Sequence, residues 1–479
     1  MRKSRKHKKR LTRRHKSRKP LFHTSLLLFA IITALLVTVV GIVLSRYFDR
    51  RAQGEGGPPN FIVIMTDDQR YDSMDAMPIT TERLGGTGIT FTHAYLTTPL
   101  CCPSRTSFLT GMYAHNTDIF NNNSYGKVQK LEDRMIPLWM PVDYKTAWFG
   151  KYINGYDNKN VPGWDQWFGI GGGRYFDYEA RDNNKVRYFG RKASDYSTDV
   201  IRRKAVQFIR ETDESFFVVV APQAPHGDND EGAVDGAVSA PRHRPCSDIA
   251  AFQSPALNEE DVSDKPQWVQ KIKKKSEKQI RQIEAFRKSQ YCALKAVDEM
   301  VGEILDTLEQ KGIRDNTFIA YYSDNGYGWG EHRHEKKNCI YDGCAKTPMI
   351  ISYPPLTDSV SGQTTDALLS HIDLTATILD IAEIPVPDQV RGKSIKPILA
   401  DPTSAVRDSV LIEVDGEYTK HKIFAVRTKE YKYAEHENGE RELYDLVNDP
   451  YELENQITNA AYTEVIIDLS AKLATLKAE

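Results

Sequence analysis

Two short apolar segments of this chain each end at a pair of polar, oxygen-bearing side chains. Asn60 to Met65 is followed by Thr66-Asp67-Asp68-Gln69, and Thr317 to Tyr322 is followed by Ser323-Asp324-Asn325-Gly326. Apolar runs of this length are typical of strands that are buried on both faces of a parallel sheet. The carboxyl ends of such strands meet at one edge, where open α/β sheets bind ligands. The pattern therefore predicts an α/β fold with a ligand site at that edge.

Two further apolar segments end at basic side chains. Lys145 to Phe149 runs into Gly150-Lys151-Tyr152, and Phe216 to Ala221 runs toward His226. A lysine and a histidine at this edge place basic groups where an anionic ligand could bind. A lone histidine after a strand is more often a surface residue with satisfied hydrogen bonds, so His226 depends on the whole pattern.

The two oxygen-bearing pairs suit a metal ion. Asp67 with Asp68, and Asp324 with Asn325, offer oxygen ligands of the kind that hard divalent cations prefer, and we predict a calcium ion (Ca²⁺). Each pair alone would more often be a turn or a helix cap, because Asp-Asn-Gly is a common turn sequence. Both pairs together with a reactive segment elsewhere in the chain favour the metal site.

That reactive segment is Leu100 to Gly111, which contains Cys101-Cys102-Pro103-Ser104-Arg105. A proline at the first turn of a helix predicts a thiol at the positively polarised helix start. Arg105 lies four residues after Cys101, so its guanidinium can reach back toward that position. The alternative interpretation is that both cysteines are small buried residues or disulfide partners.

The order Cys-x-Pro-Ser-Arg, followed by Thr-Gly, resembles the signature of the sulfatase family. The resemblance implies that a formylglycine-generating enzyme oxidises Cys101 to formylglycine, with Cys102 at the variable position. The hydrated aldehyde then has two hydroxyls: one attacks sulfur, and the other expels sulfate as the aldehyde re-forms. It also implies an alkaline-phosphatase-like fold, with a large mixed, mostly parallel sheet flanked by helices, over about residues 58 to 457.

The resemblance also assigns roles to the other candidate residues. It implies that the two oxygen-bearing pairs and the modified residue 101 hold the metal, and that Lys151 and His226 hold the sulfate ester. In the segment Gly330 to Asp342, a lysine four residues before a Tyr-Glu pair corresponds to Lys337, with Lys336 as the runner-up. The roles of His332, His334 and Asn154 stay open.

The resemblance points to a substrate class. Gly150-Lys151-Tyr152-Ile153-Asn154 resembles the glucosamine-6-sulfatase branch, so we expect a sulfated small molecule or glycan, such as 6-sulfated glucosamine. A phosphonate monoester or phosphodiester hydrolase uses a similar cysteine motif and metal. A surface protein that binds sulfated glycans without catalysis is the second alternative.

A long loop and a helical segment separate His226 from the second metal pair. Gly227 to Gln267 is rich in Gly, Pro, Ser and Asp, which predicts a loop that contributes to specificity. Trp268 to Gln310 has helical apolar spacing. The basic residues from Lys271 to Lys275 could meet a polyanionic glycan, but the exposed face of a helix is the favoured interpretation.

The N-terminal part of the chain predicts a membrane anchor. Residues 1–25 are a basic tail, and the uncharged segment 26–44 is long enough to span a bilayer with the body outside the cytoplasm. Residues 45–59 form a Gly- and Pro-rich linker. A cleaved signal peptide, giving a secreted protein, is the alternative. Beside such a span, topology explains the basic run better than nucleic-acid binding does.

The body divides into a catalytic domain, residues 60–399, and a C-terminal subdomain, residues 400–479. In the subdomain, three β-rich runs beginning at Val410, Ile423 and Tyr431 predict a small antiparallel sheet, and a helix follows from Ala461. The six cysteines do not suggest a disulfide framework, because conversion of Cys101 leaves an odd number. Cys339 with Cys344 is one candidate pair.

Overall fold

The computed structural model describes residues 57–228, 236–247, 249–416 and 419–479. The strands within this part of the chain are β1 (Asn60–Thr66), β2 (Ile89–Tyr95), β3 (Lys145–Lys151), β4 (Gln166–Ile170), β5 (Tyr178–Asp182), β6 (Lys185–Phe189), β7 (Phe216–Ala221), β8 (Thr317–Ser323), β9 (Gly328–Trp329), β10 (Glu335–Lys336), β11 (Met349–Ser352), β12 (Gln363–Ser370), β13 (Val410–Val414), β14 (Ile423–Arg427), β15 (Tyr431–His436) and β16 (Arg441–Asp445).

The main sheet has ten strands in the order β12-β2-β11-β8-β1-β7-β3-β4-β5-β6. Its centre, from β8 to β4, is parallel throughout, and β1 lies between β7 and β8. β11 runs antiparallel to both of its neighbours, and β5 and β6 add an antiparallel edge. The predicted large, mixed and mostly parallel sheet is therefore confirmed. β2, β4, β5, β6 and β12 were not among the predicted strands.

Helices cover both faces of this sheet. The longer helices are α1 (Cys101–Thr110), α2 (Ser197–Glu211), α3 (Glu277–Lys311), α4 (Asp373–Ile381) and α5 (Thr463–Ala478). Single-turn α-helices lie at Ala114–Thr117, Tyr125–Val128, Gln267–Gln270, Asp342–Ala345, Pro354–Thr357 and Lys396–Ala400. A π-helix lies at Thr80–Gly85, and 3₁₀ turns lie at Met74–Ala76, Gln129–Arg134, Ile136–Leu138, Ala193–Asp195, Pro241–His243, Arg314–Asn316, Asp358–Val360, Gln456–Thr458 and Ala460–Tyr462.

The alternation of side chains along the central strands builds two cores. Ile62 and Ile64 of β1 belong to a cluster with residues of α2 and α3, whereas Val63 packs on the other side with residues of α1 and α4. Successive side chains of a strand point to opposite faces, so a strand covered on both sides must be apolar throughout. This explains why the segment from Asn60 has no polar alternation.

The C-terminal sheet contains four antiparallel strands in the order β13-β14-β15-β16. α5 packs on it through Leu469, Leu473 and Leu476, which cluster with Leu411 and Val426. The predicted small antiparallel sheet and terminal helix are confirmed, with β16 as an additional strand.

The structure corrects the interpretation of the basic residues before α3. A turn separates the short helix at Gln267–Gln270 from α3, which begins at Glu277 behind a capping box formed by Ser276 and Gln279. Lys274 and Lys275 lie in that turn, where they pair with acidic side chains rather than occupying a helix face.

The cysteines are a second correction. Cys246 is bonded to Cys292 of α3, and Cys339 is bonded to Cys344, while Cys101 and Cys102 are free and buried. Of the five cysteines other than Cys101, four form the two disulfides and Cys102 is the one left unpaired. The pairing of Cys246 with Cys292 was missed because 46 residues separate them and nothing local indicates the contact.

The predicted basic tail (residues 1–25), membrane span (26–44) and most of the linker (45–59) lie outside the described residues. Among the helices that are described, none combines the length and the apolar character needed to cross a bilayer.

Candidate active site

The two oxygen-bearing pairs meet at one point because β1 and β8 are parallel neighbours. Thr66 is the register partner of Ser323, so the residues that follow them lie side by side. The Asn325 Nδ2 atom donates to Asp68 Oδ1 at 2.6 Å, and the Asp68 amide lies 3.4 Å from Asp324 Oδ1. Asp67, Asp68, Asp324 and Asn325 are all buried. The structure therefore brings the four predicted metal ligands together.

Cys101 is the first residue of α1, as the sequence predicts. Its Sγ atom lies 3.5 Å from Asp67 Oδ1. The following amide, of Cys102, donates to Asn122 Oδ1 at 3.0 Å, so a helix-start donor is satisfied by a side chain from a later loop. The helix start thus places the thiol against the carboxylates of the sheet edge.

Arg105 connects α1 to both sides of the cluster. Its Nε donates to Asp324 Oδ2 at 2.6 Å, and its Nη1 donates to the Lys151 carbonyl at 2.6 Å. Its Nη2 lies 3.8 Å from Asp67 Oδ2. The guanidinium therefore contacts metal-pair carboxylates, and its position fixes them relative to α1.

Lys151 and His226 reach the cluster from β3 and from the segment after β7. The Lys151 ammonium forms an ion pair with Asp67 Oδ2. His226 Nε2 lies 3.7 Å from Asp68 Oδ2, and its Nδ1 donates to the Gly227 carbonyl at 2.6 Å. Because a carbonyl only accepts, that bond leaves Nε2 as the nitrogen without hydrogen on a neutral ring. Burial lowers the pKa of His226, which favours the neutral form.

Lys337 completes the group from the loop after β10. Its Nζ lies 2.5 Å from Asp68 Oδ1 and 2.8 Å from Cys101 Sγ. Burial alone would lower the pKa of Lys337, but Asp68 and other nearby acids raise it well above its usual value. Of the two lysines that the sequence left open in this segment, Lys337 is the one in the cluster, whereas Lys336 pairs in the β9–β10 ladder.

The acids and cations of the cluster control one another's ionisation. Burial opposes ionisation of Asp67, but Lys151 and the other basic groups around it hold its pKa far below the usual range. Burial raises the pKa of the Cys101 thiol to about 12, despite the nearby lysines. An unmodified Cys101 therefore stays a protonated thiol at physiological pH, which makes it a poor nucleophile.

The donor set fits a hard divalent cation. Three buried carboxylates and one amide converge here, and Asn325 Oδ1 is buried without a hydrogen-bond partner among the described residues. Ligand atoms of Asp67, Asp68, Cys101 and His226 lie within 4.8 Å of one another. Oxygen-rich sites of this kind suit Ca²⁺ or Mg²⁺. The unpartnered oxygen is available for such an ion.

A cavity of about 530 Å³ lies between the loop around Asn122 and turns of the C-terminal sheet. Its lining residues are Asn121, Asn122, Asn123, Asp415, Gly416, Lys420, His421, Lys422 and Glu437. Two contacts locate it: Asn122 accepts from the Cys102 amide, and the Asp415 carbonyl accepts from Asn338, the residue after Lys337. A volume of several hundred Å³ is typical of small-molecule sites. Turns of the C-terminal sheet therefore contribute one wall of a cavity whose other wall includes Asn122, the acceptor of the Cys102 amide.

Three residues left open by the sequence have different surroundings. His332 Nδ1 lies 2.7 Å from Glu259 Oε2 in a buried pair, and His334 packs edge-on against Trp268. Both histidines hold loops together rather than joining the cluster. Asn154 Oδ1 is buried without a partner among the described residues.

Sequence reasoning missed Asn122 and Gly172. Gly172 has a φ of +88°, and a Cβ atom there would lie 2.9 Å from side-chain carbons of Lys151. The run Gly171-Gly172-Gly173 directly after β4 was the available signal, because consecutive glycines often mark a close approach of the backbone to another group. Asn122 had no such signal.

The sheet, its covering helices and the acid-rich edge fit the alkaline-phosphatase-like class of α/β enzymes. A family model described as Sulfatase matches residues 59–384, and one described as N-sulphoglucosamine sulphohydrolase, C-terminal matches residues 330–479. The chain belongs to the sulfatase family, whose members generally use formylglycine and a divalent metal.

Named relatives agree with this family. The extracellular sulfatase SULF-1 homolog of Drosophila melanogaster is 32% identical over 382 residues, which cover 75% of this chain and 33% of that protein. The N-acetylglucosamine-6-sulfatase of Homo sapiens is 32% identical over 387 residues, covering 75% of this chain and 68% of that protein. The chain thus spans about a third of the length of the first and about two thirds of the second.

A solved structure shares the fold. It is a protein in complex with its substrate D-glucosamine-2-N,6-O-disulfate, with a TM-score of 0.76 and 24% identity, and the match covers 88% of this chain and 98% of that one.

Proposed function

We propose that this protein hydrolyses sulfate monoesters, and that its natural substrate is a 6-sulfated glucosamine or a related sulfated glycan. The observation that carries the proposal is the convergence at Cys101: Asp67 Oδ1 lies 3.5 Å and Lys337 Nζ 2.8 Å from its Sγ atom. Modified to formylglycine, residue 101 would supply a hydroxyl nucleophile for sulfur, which the buried protonated thiol cannot do.

The metal in this proposal is Ca²⁺, held by Asp67, Asp68, Asp324, Asn325 and the modified residue 101. Such an ion supplies a positive charge that lowers the pKa of a bound hydroxyl and attracts a sulfate oxygen. Asn325 Oδ1, which has no partner among the described residues, supports this ligand set.

The cations have separate tasks. Lys151 and Lys337 neutralise the sulfate oxygens: both ammonium groups lie in the cluster, and Lys337 Nζ is 2.8 Å from Cys101 Sγ. His226, with Nε2 directed at Asp68, donates a proton to the leaving oxygen when it is protonated. Arg105 orients the nucleophile indirectly, by fixing Asp324 relative to α1.

The substrate class rests on two observations. The human relative is named an N-acetylglucosamine-6-sulfatase, and the cavity lined by Asn122 offers amide, carboxylate and ammonium groups at which a sugar can be hydrogen-bonded. Its volume of about 530 Å³ lies within the range of about 300–1,000 Å³ that is common for small-molecule sites.

We place the catalytic domain outside the cytoplasm, anchored by residues 26–44. Two disulfides support an oxidising compartment, and the Drosophila relative is named as extracellular. The partners in this proposal are the substrate, the membrane and a formylglycine-generating enzyme during maturation. Nucleic acid is not among them.

The test uses the chain produced with and without a formylglycine-generating enzyme. Tryptic mass spectrometry should find formylglycine at residue 101 only in the first preparation, and only that preparation should release sulfate from N-acetylglucosamine 6-sulfate. An isomer sulfated at position 3 and an aryl phosphodiester are the comparison substrates. Faster turnover of the phosphodiester would replace the proposal with a phosphodiesterase, and sulfate binding without turnover would indicate a glycan-binding protein.

A further inference from the structure

Asp68 has a backbone conformation that its surroundings must maintain. Its φ is +64°, in the left-handed region that few residues other than glycine adopt. It is the second residue after β1, and its carboxylate contacts Asn325, Lys337 and His226. Whatever fixes the Asp68 peptide therefore fixes a proposed metal ligand.

A side chain of α3 holds the carbonyl of that peptide. Gln290 Nε2 donates to the Asp68 carbonyl at 3.1 Å, and Gln290 is 2% exposed. The two residues are 222 positions apart in the chain, so this bond exists only in the folded protein. A buried carbonyl that loses such a donor leaves a polar group unsatisfied.

Trp329 of β9 sets the orientation of the Gln290 amide. Its Nε1 donates to Gln290 Oε1 at 2.7 Å, and an indole nitrogen can only donate. The amide oxygen of Gln290 must therefore face Trp329, which directs the amide nitrogen at Asp68. Arg70, two residues after Asp68, lies with its guanidinium carbon 4.3 Å from the Trp329 ring centroid.

Trp329 also belongs to the segment that carries Lys337. β9 pairs with β10, with Trp329 opposite Glu335, and Lys337 follows β10 directly. The same tryptophan thus donates to Gln290, which holds the Asp68 carbonyl, and belongs to the hairpin that leads to Lys337. A displacement of Trp329 would therefore shift both Asp68 and Lys337.

We propose that Gln290 is a positioning residue: oriented by Trp329, it fixes the Asp68 peptide so that the Asp68 carboxylate can bind the metal ion beside Asn325. This role rests on the metal site of the proposed function. It differs from a general stabilising role of α3 in what it predicts. Removing the Gln290 hydrogen bonds should weaken cation binding even in a variant that stays folded.

The matched variants are Gln290→Met, which keeps the side-chain length but removes both hydrogen bonds, and Tyr291→Phe. Tyr291 is the next residue of α3, and its hydroxyl donates to the Asp72 carbonyl at 3.4 Å, away from the metal pairs. Calcium chloride is titrated calorimetrically into each full-length protein, and melting temperatures are recorded with and without Ca²⁺. Neither readout depends on turnover or on the substrate.

Outer partners of metal ligands typically contribute about tenfold to a hundredfold in affinity, so Gln290→Met should lose that much and Tyr291→Phe should bind as the wild type does. Trp329→Phe, which removes only the donor that orients Gln290, should weaken binding in the same direction. If Gln290→Met folds and binds Ca²⁺ with wild-type affinity, the inference is overturned. If Gln290→Met does not fold, wild-type affinity in Trp329→Phe overturns it. A wild-type chain that binds no divalent cation instead overturns the metal of the proposed function.

Discussion

The Nζ atom of Lys337 lies 2.8 Å from the Sγ atom of Cys101, although 236 positions separate the two residues in the chain. Lys337 comes from the loop after β10, whereas Cys101 begins α1, so a loop and a helix start from distant parts of the chain must meet. The contact places a positive charge beside the side chain that carries the nucleophile in the proposed reaction. That charge can stabilise negative charge on the sulfate oxygens or on the bridging oxygen as the alcohol leaves.

Replacing Lys337 should therefore slow the reaction without unfolding the protein. We expect Lys337→Ala to reduce kcat/KM for a sulfate ester by about a hundredfold to a thousandfold, the usual cost of removing one charge-stabilising donor. Lys336→Ala is the matched control, because Lys336 is exposed and lies in the β9–β10 ladder. Steady-state kinetics on the formylglycine-containing enzyme measures both. Equal losses of kcat/KM in the two variants would show that the overall charge of the segment matters and that the contact of Lys337 with Cys101 does not.

Gly172 should be required for the position of Lys151. A Cβ atom at Gly172 would lie 2.9 Å from the Cδ and Cε atoms of Lys151, so Gly172→Ala must displace that side chain. Gly439→Ala is the control, because Gly439 also has a positive φ, +91°, and a Cβ there would meet no described atom within 4 Å.

Both alanine variants share the backbone strain of a positive φ, about 1 kcal/mol, and the melting temperature of Gly172→Ala should fall at least as far as that of Gly439→Ala because Lys151 is also displaced. Only Gly172→Ala should also raise KM for the sulfate ester, by about tenfold or more for a displaced charged contact. Wild-type kinetics in Gly172→Ala would mean that Lys151 can shift without loss, contrary to its proposed role.

The buried ion pair between Arg105 and Asp324 should contribute far more to stability than a surface pair. Neither side chain is exposed to solvent, and Arg105 Nε lies 2.6 Å from Asp324 Oδ2. Asp324→Ala leaves a buried guanidinium with less compensating charge, so urea unfolding in metal-free buffer should show a loss of about 3–5 kcal/mol.

The comparison is Asp306→Ala, which breaks the exposed contact of Asp306 with Arg83. Surface pairs contribute about 0–1 kcal/mol, so this variant should unfold almost as the wild type does. Similar losses of unfolding free energy in both variants would indicate that Arg105 is exposed to water in solution.

The unmodified chain should be unreactive at Cys101. Burial raises the pKa of this thiol to about 12, so the protonated form persists at every pH below that value. At pH 8 the thiolate fraction should be about 10⁻⁴, since each pKa unit is a factor of ten. Chain produced without the converting enzyme should resist iodoacetamide in its native state and react after denaturation, as peptide mass spectrometry can record. Rapid native alkylation at pH 8 would show that the thiol is accessible and ionised.

Much of the fold was predictable because buried strands and a helix start leave local signals. The segments that became β1, β7 and β8 are apolar throughout, and Pro103 follows two cysteines where α1 begins. The edge strands β5 and β6 were missed, since their partly exposed residues resemble loops in a chain read alone. The disulfide between Cys246 and Cys292 was missed because no local sequence pattern indicates a partner that is distant in the chain.

The amino-acid sequence by itself determined which residue types stand at the carboxyl ends of the central strands, because strand formation there depends on local apolar runs and on the polar residues that end them. The tertiary structure alone decided which of these ends are neighbours: β1 between β7 and β8 brings Asp68 and Asn325 into contact, and α3 supplies Gln290 from beyond the long loop. The physical reason is that hydrogen bonds act over about 3 Å, whereas the partners here are separated by hundreds of residues that only the packed sheet brings together.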